Sequence, residues 1–363
     1  MTPRRPEIQP GAAPAGVVQR PFRSAFVDYA RRHEEVVCLS ADLTSSCEAD
    51  GFKETFPDRF YSVGMTEQSM LGVAGGMARE GLVPFVTTFS VFVTRRPYDQ
   101  LAMAVAYPNL PVRLMGFLPG ITTPGGVTHQ AVDDVGLMRC LPNMTVLDLG
   151  DATEVETVFS LLDSVEGPAF CRVLRGEVPR LFDTPIRLGV TRQLSEGTAA
   201  VLVTSGVATD YARAAVAFLA SMGIGVRHLH VSTLKPFGDE LLLDALADAG
   251  SGVVTCENHS ILGGLASATC ELLATHGIAA RVVRLGVQDR FTHGGSTPYL
   301  ARYYGLDAVA VVRAVTELVG CRLASSDSEL SLATEVARAE LDATLAPCAS
   351  PRLGRATANV EAL

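Results

Sequence analysis

No run of apolar residues approaches the roughly 20 needed to cross a bilayer as a helix, so no membrane span is expected. The opening MTPRRPEIQPGAAPAG has no apolar core and so does not read as a secretory signal. It reads as a loose tail. Cysteine pairs are missing too: eight cysteines lie scattered at 38, 47, 140, 171, 256, 270, 321 and 348, with no CxxC among them. Most sit in apolar runs such as VVCLS and AFCRV, as buried reduced thiols do. That argues against a disulfide framework and a zinc site, and suits the cytoplasm. Charge of one sign is not concentrated anywhere; a net charge of −9 spread along the chain argues against a nucleic-acid partner.

What is present is a globular composition. The chain has 363 residues, 48% hydrophobic and 19% charged, with 33 glycines, enough for two domains with a sizeable core in each. Short apolar runs alternate with amphipathic stretches from residue 36 onward. VVCLSAD (36–42), VPFVTTF (83–89), VRLMGF (112–117), TVLDL (145–149) and AFCRVL (169–174) read as strands. Helical patterns at 66–80, 95–107, 131–139 and 153–164 fall between them. After a polar link, 176–197, a second unit repeats the alternation with strands at 199–206, 225–232, 252–258 and 280–287. Its helices are expected at 208–222, 239–248, 262–276 and 307–319, followed by a helix near 329–345 and a disordered end. Fully apolar strands alternating with helices predict an α/β fold of two doubly wound domains with mainly parallel sheets.

In such sheets ligands gather at the carboxyl ends of the strands. The polar segments 42–46, 89–95, 121–129 and 172–175 all belong there. The stretch FYSVGMTEQSMLGVAGG (60–76) stands out, because Glu67 is its only acid and opens a helix backed by Leu71, Val73, Ala74 and Met77. A carboxyl group in apolar surroundings becomes a neutral donor near pH 7. Taken alone, the same residue has a plainer use, favouring the helix N-terminus through the macrodipole.

Several motifs in register decide between these uses. SADLTSS (40–46), VGMTEQ (63–68), TTFSVFVTRRPYDQLAMA (87–104), GGVTHQAVDDVGLMR (125–139) and FCRVLRGE (170–177) resemble the transketolase family. TLKPF (233–237), ENHSILGGL (257–265) and GVQDRFTHGG (286–295) resemble that family's C-terminal domain, so the likeness runs over about residues 20–320. It implies a tail at 1–18, a pyrimidine-binding thiamine diphosphate domain at 19–190, a transketolase C-terminal-like domain at 191–322, and a C-terminal helix and tail at 323–363.

The resemblance also implies roles. Glu67 matches the glutamate that hydrogen-bonds the aminopyrimidine of thiamine diphosphate, so that its exocyclic nitrogen takes the thiazolium proton. Asp42, Phe89, Phe92 and Arg95 match positions around the cofactor, the two phenyl rings suiting a flat heterocycle. His129 matches a channel histidine that contacts the donor hydroxyls, and Arg23, Ser46 and Arg175 match the sugar-phosphate site. His259 is expected to be structural.

The family binds diphosphate and Mg2+ through a GDG…N motif, which is missing here; GDAT (150–153) and GDEL (238–241) lack the following Asn. A separately encoded partner of the N-terminal type is therefore expected, in a heterotetramer with two copies of each chain. Within the channel, Gly125 replaces an acidic residue and Phe117 a second histidine, which predicts a less polar site and a modified sugar phosphate as substrate. The implied activity is transfer of a two-carbon ketol unit from a ketose to an aldose. Competing readings are the beta subunit of a 2-oxoacid dehydrogenase, a 1-deoxyxylulose-5-phosphate synthase-like enzyme, and a non-catalytic regulatory subunit.

Overall fold

Strict side-chain alternation along VVCLS explains how the first sheet is covered. Val36 and Cys38 enter one apolar cluster and Val37 and Leu39 the other, so both faces of this strand are buried. The computed structural model describes residues 16–345. Its strands are β1 (Gly16–Gln19), β2 (Val36–Ser40), β3 (Phe60–Ser62), β4 (Val83–Phe89), β5 (Arg113–Phe117), β6 (Thr145–Asp148) and β7 (Ala169–Val173). They continue with β8 (Glu177–Arg180), β9 (Arg192–Ser195), β10 (Ala200–Thr204), β11 (Val226–His230), β12 (Thr233–Lys235), β13 (Val253–Ser260) and β14 (Val282–Val287).

The first sheet has the order β12-β6-β7-β5-β4-β2-β3 and is parallel apart from β12. The second has the order β14-β13-β10-β11-β9 and is parallel apart from β9. Helices fill the crossovers, as parallel pairing requires. One face of the first sheet packs phenyl rings, Phe22, Phe26, Phe52, Phe85 and Phe159 among them. The other face packs Met70, Leu71, Leu101, Val105 and Met138 in a cluster that continues into the second unit through Val203, Leu229 and Leu242.

Several sequence expectations need correction. Residues 16–18 are strand, not tail, because β1 pairs antiparallel with β8; residues 1–15 lie outside the described residues, as do 346–363. The polar link is not plain connection, since it supplies β8 to that pair and β9 to the edge of the second sheet. Residues 233–235 lie in the second unit by sequence but extend the first sheet as β12. The Lys235 ammonium completes that exchange by donating to the carbonyls of Arg139 and, more closely, Leu141.

The helix expected from 95 begins earlier, at Ser90–Arg95, and is interrupted at Pro97 before Tyr98–Gln100 and a wider turn, Leu101–Ala106. Proline has no N–H to continue the ladder. The earlier start matters, because it places Phe92 and Arg96 one helical turn apart. Helix Glu67–Arg79 lies against Leu101–Ala106 so closely that a Cβ on Gly75 would come within 2.4 Å of the Ala104 carbonyl oxygen. Its buried positions are Glu67, Met70, Leu71, Ala74, Gly75 and Ala78, whereas Val73, expected inward, is exposed. Among the described residues no helix is long and apolar enough to cross a membrane.

Candidate functional site

The strands β7, β5, β4 and β2 are neighbours in the first sheet and run parallel, so the segments after them share one rim. Phe89 closes β4, and Ser90–Arg95 starts at once, turning Phe92 back beside it with ring centroids 5.7 Å apart at 29°. His129, from the loop after β5, meets Phe92 edge-on at 5.4 Å and Phe89 at 6.2 Å. Its Nδ1 lies 2.9 Å from the Thr128 hydroxyl.

Glu67 is 3% exposed and opens its helix from the neighbouring side of this group. The expected apolar surroundings are interrupted by a guanidinium: Arg96 Nη1 donates to Glu67 Oε1 at 2.6 Å. Arg96 also lies over the Phe92 ring, 3.8 Å from its centroid. Glu67, Arg96, Phe92, Phe89 and His129 thus form one continuous contact chain. The second Glu67 oxygen, Oε2, has no hydrogen bond among the described residues. A buried acid with one oxygen unbonded, linked through Arg96 to the Phe92 and Phe89 rings, fits the polar edge and flat face of an aminopyrimidine.

Arg95 is turned away from this chain. Its Nε donates to both oxygens of Asp133 at 3.0 Å, and its Nη atoms approach the Val127 and Gln130 carbonyls at 3.5 Å. Its part is to hold the His129 loop to the helix. Gln130, fully buried, closes the same loop by donating to Thr123 O at 2.9 Å and His293 O at 3.2 Å. The second unit holds the loop's other end, where Asn258 accepts from Ile121 N at 2.9 Å and donates to Pro119 O at 3.0 Å. His259 is fully buried, with Nδ1 2.7 Å from the Ser260 carbonyl oxygen, in keeping with a structural part.

Asp42 is exposed just after β2, at a φ of 60° that Asp tolerates. Arg175 and Ser46 do meet, through the serine carbonyl, which accepts from Arg175 Nη1 at 2.9 Å. A cavity of about 530 Å³ lies beside Arg175, lined also by Leu118, Thr122 and Tyr211. Arg23 is engaged elsewhere, with Nε on Asp50 at 3.0 Å and Nη2 on Glu54 at 2.6 Å.

Two channel expectations change. Phe117 is not a channel wall: it follows Met115 by two residues on β5, shares its face, and is fully buried edge-on against Phe22. Gly125 does border the loop, but a Cβ there would sit 2.9 Å from His129 Cβ. Gly125→Ala is therefore expected to push His129 aside. A misplacement of about 1 Å can cost ~10²-fold, so a shift of a few tenths should lower kcat/KM about tenfold with little change in melting temperature. An unchanged kcat/KM would show that His129 is not positioned by this contact.

Arg96, Asp133, Gln130 and Asn258 are the participants that sequence reasoning did not single out. All lie inside motifs quoted above (TTFSVFVTRRPYDQLAMA, GGVTHQAVDDVGLMR, ENHSILGGL), but nothing in the order of residues says which side chain each one meets.

Comparison with known proteins agrees with this architecture. The pyrimidine-binding domain of transketolase matches residues 18–179, and the transketolase C-terminal domain matches 189–311. A putative uncharacterized transketolase family protein of Sinorhizobium fredii is 38% identical over 301 residues, covering 82% of this chain and 87% of its own. A 6-deoxy-6-sulfo-D-fructose transketolase subunit of a Clostridium species is 37% identical over 304 residues, covering 82% of this chain and 94% of its own. Among solved structures, a split-gene transketolase in an inactive beta4 tetramer superposes with a TM-score of 0.75 at 34% identity, over 84% of this chain and 98% of that one. 1-Deoxy-D-xylulose-5-phosphate synthases match as well, the chain spanning about half their length.

Proposed function

That the chain belongs to the transketolase family is the premise from which we propose that it is the C-terminal, beta-type subunit of a split transketolase acting in the cytoplasm. The pair transfers a two-carbon ketol unit from a ketose donor to an aldose acceptor. When bound, thiamine diphosphate supplies the nucleophilic carbon for that transfer.

This chain's share follows from the contact chain at the rim, which is the observation that carries the reading. Phe89 and Phe92 offer faces for the pyrimidine ring. Glu67 offers Oε2 to a ring nitrogen and is the group that exchanges a proton there, with Arg96 holding Oε1 and fixing the carboxyl plane. His129, kept in place by Arg95, Gln130 and Asn258, faces the donor hydroxyls from across the rings. Diphosphate and Mg2+ fall to a partner of the N-terminal type bearing the GDG…N motif, in a heterotetramer with two copies of each chain. Support for such an arrangement comes from the split-gene neighbour and from the subunit naming of the Clostridium relative. Candidate donors include ordinary ketose phosphates and the sulfonated hexulose in that relative's name.

The chain by itself is expected to bind thiamine diphosphate weakly and to turn over nothing. Adding the GDG…N partner and Mg2+ should restore transfer, measured as aldose formed from a ketose. Robust transfer by the single chain would overturn the split arrangement. A synthase-like condensation with pyruvate is the second reading, favoured by the match to the synthases; in the same assay it would release CO2 and need no ketose.

A further inference from the structure

The resemblance leads one to expect a phosphate site at Arg23, Ser46 and Arg175. The charges assembled there do not suit one. Arg20, at the entry to helix Pro21–Ala30, donates closely to Asp50 Oδ1, and Arg23 donates to Asp50 Oδ2 at 3.0 Å and Glu54 Oε2 at 2.6 Å. Glu48, 2% exposed, accepts from Gly176 N at 2.7 Å, and the backbone N–H of Arg20 in turn donates to Gly176 O at 2.7 Å. Arg175 points its Nη1 at the Ser46 carbonyl at 2.9 Å. Three guanidinium groups therefore face three carboxylates within one corner of the rim, and with Glu48 ionised their charges cancel.

The carboxylates are not easily set aside. Asp50 bridges Arg20 and Arg23 with one oxygen each, so freeing Arg23 for a ligand leaves half of that carboxylate unpaired at a part-buried site. Glu48 Oε2 lacks a hydrogen-bond donor and is shielded from water, and when ionised it draws on the field of Arg20 and Arg175 that a further anion would need. Burial pushes the Glu48 carboxyl above its usual range, and even a neutral Glu48 leaves a surplus of one positive charge. A phosphate monoester carries about −1.5 to −2 at pH 7, with its second ionisation near pH ~6. Sites that hold such a group commonly offer unpaired guanidinium forks. Here only Arg175 lacks a carboxylate partner among the described residues.

On the reading that the chain is a ketol-transferring subunit, we propose that this corner selects against a phosphate dianion and takes a ketose whose far terminus carries at most one negative charge, as a sulfonate does. Arg175 and the Ser46 hydroxyl serve that terminus. Arg20 and Arg23 hold helix Pro21–Ala30 to helix Asp50–Thr55.

Two donors serve the test: in 6-deoxy-6-sulfo-D-fructose a sulfonate on C6 replaces the phosphate ester and bridging oxygen of D-fructose 6-phosphate, and the pH dependence separates charge from that difference in length. With the reconstituted pair at pH 7.5, kcat/KM should favour the sulfonate by about tenfold or more. The preference should narrow at pH 5.5, where the phosphate monoester is mostly a monoanion. Glu54→Gln, on a side chain that is 66% exposed, removes one carboxylate from Arg23 and should move the ratio at least about threefold toward the phosphate. Preference of the wild-type pair for fructose 6-phosphate, or a ratio indifferent to both pH and Glu54→Gln, overturns the inference while leaving ketol transfer intact. Absence of transfer from any ketose overturns the proposed function itself, and this inference with it.

Discussion

Glu67→Gln is expected to lower ketol transfer by the reconstituted pair by about 10²–10⁴-fold, the usual contribution of a positioned acid–base group. The amide keeps the shape of the side chain, and its oxygen can still accept from Arg96, which Glu67 Oε1 now does at 2.6 Å. What is lost is the capacity of the carboxyl group to take up and release a proton at Oε2, the oxygen that Arg96 does not bind. Arg96 is about half exposed, so losing its ionic partner is readily offset by water, and the melting temperature should move little. Single-turnover rates with saturating cofactor and Mg2+ are the measurement, with circular dichroism as the check on folding. A loss below tenfold would assign the proton exchange to another group.

The largest stability effect is expected at Arg172. This arginine is 1% exposed, donating to Asp134 Oδ2 at 2.9 Å, Asp148 Oδ2 at 3.2 Å, Ala131 O at 3.1 Å and Asn258 O at 2.9 Å. Arg172→Met fills most of the volume but leaves two buried carboxylates without their counter-charge. Breaking one partner out of a buried ionic network costs about 3–5 kcal/mol, because the remaining charge has no water to turn to. Ser90 and Ser205 still donate to Asp134 and Asp148, each at 2.8 Å, which should keep the loss within that range. A urea midpoint shift at constant slope would read it out, and a loss under about 1 kcal/mol would show that the carboxylates are accommodated without Arg172. Because Arg172 also binds Ala131 and Asn258, which flank the loop bearing His129, activity should fall along with stability.

The same residues mark the limits of reading a chain without its structure. Unlike the short edge strands β3, β9 and β12, the inner strands β2, β4, β5, β6, β7, β10, β11 and β13 with the edge strand β14, the acid at the start of helix Glu67–Arg79 and the Phe89–Phe92 pair are local facts. They follow from period-2 and period-3.6 patterning and from a motif in which neighbours in sequence remain neighbours in space. Family membership is legible for the same reason, as a set of short motifs in a constant order. Even the boundary of helix Ser90–Arg95 escapes this reasoning, however, because its apolar pattern differs little from that of the strand before it.

Tertiary structure alone decided which charges meet. Arg96 finds Glu67 across 29 residues of sequence, Arg172 finds Asp134 across 38, and Asn258 finds Ile121 across 137. Arg23 shows the consequence: its position matches a phosphate ligand, but a fold that brings Asp50 and Glu54 onto its guanidinium changes what that guanidinium can bind. Phe117 shows the other half, since the pleat turns its ring into the phenyl core rather than toward the rim. Sequence determines which groups a site can draw on, through short-range patterns fixed by backbone geometry. Packing determines which of them are already spent on one another, because a buried charge must find a partner wherever the fold places it.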